Sequence, residues 1–262
     1  MIRTPLQDLA GGLKRWQLGL ALSWNDTVMP LRSSYLGLVW ASLQIGLLVL
    51  VLYLLFRDLR GQDVVDYAIY LAAGVTVYQF ISIGLVDGST TFSKQAGLIK
   101  NVPHPISLYV FRLFYKQIIL AFFAAPIILI AIAYTNQWPG VLEVLVACAG
   151  VVLVSVAFTG LALAVGTACV VVHDLVLALA AMTRLLFFMT PVFWVAETRG
   201  GFRGMISTYN PFTYFLNVVR EPLRGNMPDM LDYLVVFTCL AVFWAVGVVL
   251  FSLIRPRISA LV

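Results

Sequence analysis

Charge is scarce in this chain. Only 11% of its 262 residues are Asp, Glu, Lys or Arg, and 61% are hydrophobic, whereas a soluble domain runs at about a quarter charged. That shortage excludes a soluble globular fold. Histidine is rarer still, with His104 and His173 alone; no H-E-x-x-H occurs, and a histidine-based metal site has too few ligands. The cysteines Cys148, Cys169 and Cys239 all fall in apolar runs, where a thiol acts as a small hydrophobe; they suggest no disulfide framework. No G-x-x-x-x-G-K-[ST] loop is present, so the chain does not cradle nucleotide phosphates itself. Carboxylates are missing from the middle of every long apolar run, which removes the relay a proton-coupled carrier uses. No inverted internal repeat is visible, which argues against a secondary carrier. Ser155 lies in Val-Leu-Val-Ser-Val-Ala, not in a nucleophile-like setting. No cleavable signal is expected: Lys14-Arg15 precede a short apolar run, but Trp24-Asn25-Asp26 follow it instead of a small-residue cleavage site. The energy for any transport is expected to come from another polypeptide.

What is present is apolar sequence in long continuous runs. Six of them reach the roughly 20 residues that a membrane-crossing helix needs: residues 36–56, 67–86, 107–134, 141–172, 175–195 and 233–254. They do not alternate at period two, so a β-barrel is excluded and an all-α integral membrane protein is expected. With six spans both termini share a side. Placing that side in the cytoplasm gives it Arg3, Lys14, Arg15, Arg32, Lys94, Lys100, Arg112, Lys116, Arg255 and Arg257. The other side receives Arg57, Arg60, Arg199, Arg203, Arg220 and Arg224, balanced by Asp58, Asp63, Asp66, Glu197, Glu221, Asp229 and Asp232. The side richer in Lys and Arg is the cytoplasmic one. The net charge of +5 thus follows from topology, and no nucleic-acid partner is implied.

Before the first span, Leu6, Leu9, Leu13, Trp16 and Leu20 recur at helical spacing. They describe an amphipathic helix at the interface, its apolar stripe toward lipid; packing against protein is the alternative. Asp87-Gly88-Ser89-Thr90 offers helix caps for a short basic helix from Phe92 to Lys100, which Asn101-Val102-Pro103-His104-Pro105 ends. It is either a solvated loop or a docking element with Leu98 and Ile99 as its apolar contacts. In the fourth span Gly160, Ala164 and Ala168 form a small-residue ridge suited to close helix packing, within the subunit first and at a dimer seam second.

The stretch from His173 to Leu223 concentrates the unusual residues. His173-Asp174 forms a polar turn. Arg184 lies near mid-depth of the fifth span, where it needs a polar cavity, a partner or a route for snorkelling. Thr190-Pro191-Val192-Phe193-Trp194 closes that span, followed by Asn210-Pro211-Phe212-Thr213-Tyr214 and Arg220-Glu221-Pro222-Leu223. Nine aromatics fall within residues 187–215, more than interfacial anchoring requires, and their faces suit stacking on sugar rings.

These residues together resemble the membrane subunit of ABC-2 type exporters, specifically the Wzm-like polysaccharide-export permeases. The resemblance rests on the N-terminal interface helix, on Arg32-Ser33-Ser34-Tyr35-Leu36-Gly37-Leu38-Val39-Trp40 and on the stretch from Lys100 to Pro105. It rests further on His173-Asp174, Thr190-Pro191-Val192, Asn210-Pro211-Phe212 and Arg220. Two departures stand out: a single arginine at the approach to span one, and Ile45 after Gln44 where the family often has proline. Arg184 is not part of the family pattern. The resemblance implies one ABC-2 transmembrane domain over residues 1–262: an interface helix at 1–34, spans one to five at 35–195, an external gate with re-entrant helices at 196–232, and span six with a tail at 233–262. It implies a homodimer in the bacterial inner membrane, with ATP and Mg on two copies of a separate ATPase and no cofactor in this chain. Gly97, Leu98, Ile99 and Lys100 would couple to that ATPase. Trp40, Gln44, Arg184 and Phe188 would line the conduit, and Pro191, Trp194, Asn210, Pro211, Phe212 and Arg220 would form the gate. The cargo would be a lipid-linked glycan such as an O-antigen, capsule or teichoic-acid polymer. Two other readings stay open: an ABC-2 permease for a drug or small lipid, and a membrane-embedded enzyme of lipid-linked sugar metabolism.

Overall fold

The computed structural model describes residues 4–32, 35–57, 67–195 and 202–262, and every regular element among them is a helix. In chain order these are α1 (Pro5–Lys14), α2 (Trp16–Arg32), α3 (Val39–Phe56), α4 (Tyr67–Ser82), α5 (Ala96–Asn101), α6 (Leu108–Thr135), α7 (Val141–Val171), α8 (Asp174–Met189), α9 (Phe202–Tyr209), α10 (Pro211–Leu223) and α11 (Met230–Leu261). α4 continues through a π-helical turn, Ile83–Asp87, and a 3₁₀ turn, Ser93–Gln95, leads into α5. Arg3, Ser33, Ser34, Asp58, Arg60, Asp63, Asp66, Glu197 and Arg199 lie outside the described residues.

Among the described residues, five helices are long and apolar enough to cross a membrane: α3, α4 with its π turn, α6, α7 and α11. The expected fifth span differs. It forms α8, which stops at Met189 instead of running to Val195. Pro191 is the cause, because a residue before proline avoids the helical region, and Thr190 is extended at φ −95°, ψ 138°.

α4 is the core of the bundle. It is buried on nearly every side from Tyr67 to Ile81, with α3, α6, α8 and α10 packed around it. α7 and α11 pair closely along their lengths. A Cβ on Gly247 would lie 2.9 Å from the Gly160 carbonyl oxygen, and one on Gly160 would lie 2.6 Å from the Trp244 ring. Gly160 of the small-residue ridge therefore serves packing inside the subunit, where backbones approach too closely for side chains.

The N-terminal stripe is carried by two helices, not one. The chain turns at Arg15 (φ −94°, ψ 36°) between α1 and α2. Thr4 and Gln7 form the capping box that starts α1, with Pro5 in its first turn. Most of the stripe is outward: Leu6, Leu13, Trp16 and Leu20 are exposed, while Leu9 packs inward onto the cluster around Phe92 and Phe251. α1 meets the protein through its other side, where Asp8 and Gly12 are buried.

Asp8 gathers three elements. It accepts from the backbone N–H groups of Ile106 (3.3 Å) and Ser107 (2.9 Å), and from Arg255 Nε (3.0 Å) and Nη2 (2.7 Å), while the Ser107 hydroxyl donates to its carbonyl (2.8 Å). The starts of α1 and α6 and the end of α11 thus share one end of the bundle, the termini face. Two further ion pairs lie on that half: Arg112–Asp26 at 2.5 Å ties α6 to α2, and Lys116–Asp87 at 2.6 Å ties α6 to the π turn. Three cations assigned above to the cytoplasmic side, Arg112, Lys116 and Arg255, are therefore matched by carboxylates.

Candidate functional site

The site begins with an unwinding. Where α8 stops, the carbonyls of its last turn and of residues 191–194 have no helical partner, and buried carbonyls need donors. The structure supplies them from side chains. Tyr67 donates to the Phe193 carbonyl (2.6 Å), and the Tyr70 hydroxyl lies 2.9 Å from the Pro191 carbonyl and 2.8 Å from that of Trp194, one proton shared between two acceptors. Trp194 Nε1 donates to the Phe188 carbonyl (2.9 Å). Further down α4, the Tyr78 hydroxyl donates to the Thr183 carbonyl. Tyr67, Tyr70, Gly74 and Tyr78 lie on one face of α4 at helical spacing. Their row holds α8 and the turn after it.

Gly74 interrupts the tyrosines for a reason. Arg220 enters there from α10, 1% exposed, with its guanidinium 3.6 Å from the Tyr70 ring centroid and Nη2 donating to the Pro191 carbonyl (2.8 Å). A Cβ at position 74 would stand 2.5 Å from that Nη2 and 2.9 Å from the Val192 carbonyl oxygen. Arg220, named above among the cations of the far side and the gate residues, is a buried side chain that clamps the turn. A cation over an aromatic face out of water gains about 2 kcal/mol, which offsets part of its desolvation.

Asn210 works from both ends of its amide. Its oxygen accepts from the Phe212 N–H (3.0 Å), capping α10 with Pro211 in the first turn, and its nitrogen donates to the Thr190 hydroxyl (3.0 Å) and the Met189 carbonyl (3.2 Å). Phe212 and Phe215 pack on Phe158, midway along α7, at 6.1 and 4.9 Å between ring centroids, and Val218 lies against Gly150, nearer the start of α7. α10 therefore climbs beside α7, inside the bundle, away from the termini face. Asp229 and Asp232, counted above among the carboxylates of the far side, form the capping box of α11, and Asn217 donates to Asp232 (2.9 Å). Pro191, Trp194, Asn210, Pro211, Phe212 and Arg220 thus lie in one contiguous assembly, the latched turn.

The four proposed conduit residues are not brought together within one chain. Trp40 and Gln44 lie near the termini-face end of α3, whereas Arg184 and Phe188 lie toward the far end of α8. α3 and α8 flank α4, and the end of α3 reaches the turn after α8 where Phe56 meets Phe193 at 5.0 Å. Arg184 is exposed and makes no ion pair among the described residues. Both helices bear exposed apolar side chains: Leu47, Leu50, Leu54 and Leu55 on α3, and Leu177, Met182, Leu185 and Phe188 on α8.

At the termini face, α5 is the short helix the sequence led us to expect, preceded by the 3₁₀ turn and without a side-chain cap. The pair Leu98 and Ile99 splits. Ile99 packs inward onto the cluster around Phe92 and Phe251, while Leu98 stands 40% exposed. Gly97 and Lys100 are exposed beside it, with open space around Gly97. His173 and Asp174 are exposed at the turn between α7 and α8. Tyr67, Tyr70, Gly74 and Tyr78 were not singled out in the sequence; their spacing of three, four and four residues was the available signal.

The family model for ABC-2 type transporters matches residues 17–223. The chain is also 26% identical over 168 residues to the O-antigen export system permease protein RfbA of Myxococcus xanthus. That match covers 64% of this chain and 64% of the length of the relative.

Proposed function

We propose a function from one premise: the chain belongs to the ABC-2 type transporter family. It is the membrane permease of an ATP-driven exporter, and hydrolysis takes place on a separate ATPase. Two copies associate through the apolar faces of α3 and α8, which stand uncovered on either side of the buried α4; that exposure is the observation that supports the assembly most directly. Six spans cross the inner membrane with both termini in the cytoplasm, α8 supplying the fifth crossing beside the five long helices, and α9 and α10 re-enter from the outside. The cargo is a lipid-linked polysaccharide, a reading supported by the likeness to an O-antigen export permease and by the aromatic rings around the latched turn.

Coupling to the ATPase runs through α5. Leu98→Glu is expected to lower recovery of the ATPase with the affinity-purified permease by about thirtyfold, the effect of a central contact worth about 2 kcal/mol, while the permease keeps its elution volume. Unchanged recovery would remove α5 from the interface. Co-expression with neighbouring ATPases tests the function as a whole: if none associates and nucleotide never alters the complex, the exporter reading fails.

Arg184 faces the cavity between the two copies and meets the anionic part of the cargo. Arg184→Ala is expected to reduce surface glycan about tenfold, the loss of one charged contact of about 1.4 kcal/mol, with dimer and ATPase content unchanged. Full export by that variant would take Arg184 out of the conduit.

A further inference from the structure

A cleft of about 480 Å³ opens beneath α1, between α6, α7 and α11. Ala10 and Leu13 roof it, Phe111 and Phe114 form one wall, and Val156 and Trp244 form the other. The polar groups of Thr159 and Trp244 on that wall are already used. The Thr159 hydroxyl donates to the Ser155 carbonyl (2.8 Å) and Trp244 Nε1 to the Val156 carbonyl (3.0 Å). Apart from the hydroxyl of Tyr115, which also lines it, the cleft therefore presents apolar surface, and a largely apolar void of this size is filled by apolar atoms more readily than by ordered water.

Its depth identifies the occupant. Phe111 lies three residues into α6, about 5 Å from its start, and Val156 lies fifteen residues before the end of α7, about 22 Å away. The cleft spans roughly one leaflet, half of a hydrocarbon core about 30 Å thick, and lies on the termini-face side. At its mouth stands Leu13, 60% exposed, followed by Lys14, which is exposed and makes no ion pair among the described residues. Arg15, next in sequence, is held by His104.

We propose that this cleft binds one acyl chain of an anionic phospholipid from the leaflet on the termini side, with the phosphate at Lys14. The lipid fills the seam that α1 leaves against the bundle, so it is a structural component of the N-terminal clamp and separate from the transported cargo.

Native mass spectrometry of the purified permease, with its ATPase where one associates, tests this with added phosphatidylglycerol or phosphatidylcholine of matched chains. At equal concentration the phosphatidylglycerol adduct is expected to exceed the phosphatidylcholine adduct about fivefold, the preference one lysine near a headgroup confers. Lys14→Glu should bring the two to parity. Ala10→Trp should remove both adducts while the elution volume stays unchanged. No adduct, equal retention by the unaltered chain, or full retention by folded Ala10→Trp would overturn the proposal. Displacement of phosphatidylglycerol by a polyprenyl phosphate at lower concentration would also overturn it, assigning the cleft to the cargo's lipid carrier. Should Ala10→Trp fail to fold, the Lys14→Glu comparison decides alone.

Discussion

Asp8→Ala is expected to destabilise the protein by about 3–5 kcal/mol, the effect of breaking a buried pair and leaving its partner charge uncompensated. Both carboxylate oxygens of Asp8 are engaged, one by the Ser107 N–H and the other by the Ile106 N–H and the Arg255 guanidinium. Asp8 is 1% exposed and Arg255 11% at the side chain, so water cannot take over either role. Arg255→Met should cost less, because Asp8 keeps two backbone donors and Met fills the same space. Thermal unfolding in detergent checks the order: Asp8→Ala lowest, Arg255→Met between it and the unaltered chain. The double variant should then lie closer to Asp8→Ala than the sum of the two losses would place it, since the sites are in contact. An Asp8→Ala protein as stable as the original would mean that α1 is not fastened to the bundle there.

The second large effect is at the latched turn. Arg220→Met removes the donor to the Pro191 carbonyl and the cation over Tyr70, and leaves that carbonyl with the shared Tyr70 proton alone. Gly74→Val attacks the same contact from the other side, because its Cβ has no room beside the guanidinium. Each should shift the closed turn toward an open state by about 1–3 kcal/mol, roughly five- to 150-fold in population. Under the exporter function proposed above, the measurable result is that cargo at the surface falls, or small solutes leak through, while the amount of protein in the membrane stays within about twofold. The two substitutions should not add. If Gly74→Val worsens Arg220→Met by its full separate effect, the two residues do not share one contact and the clamp is disproved. Arg220→Lys is expected to rescue little, since a lysine offers one compact charge where a planar guanidinium both stacks and donates.

Much of the architecture could be read directly from the chain. Runs as apolar as residues 36–56 and 141–172 leave no alternative to membrane-crossing helices, and α3 and α7 occupy them almost residue for residue. Pro191 was visible as an interruption, but how far α8 runs depended on the conformation of Thr190, which a hydropathy pattern does not report. The grouping of Thr190–Trp194 with Asn210–Phe212 and Arg220 was legible as a set of unusual residues in one stretch. What each does was not, because the partners are on α4, more than a hundred positions earlier. Tyr67, Tyr70 and Tyr78 look like ordinary interfacial aromatics until a neighbouring helix supplies unpaired carbonyls. Asp8 was hidden for the same reason: its partner Arg255 is 247 positions away, and a carboxylate on a short amphipathic helix suggests solvent, not burial. The burial of Arg220 was not legible either, because only its neighbours in space reveal that its helix lies inside the bundle.

The π turn at Ile83–Asp87 has a mechanical meaning. An α-helix advances about 100° per residue, and a π turn takes in about one residue more than an α turn. The two ends of α4 are therefore out of phase by roughly that angle, with the tyrosine row aimed at the latched turn and Asp87 aimed at Lys116. The extra residue thus lets one helix answer two partners on different sides, Lys116 at its Asp87 end and the carbonyls after α8 at its tyrosine end.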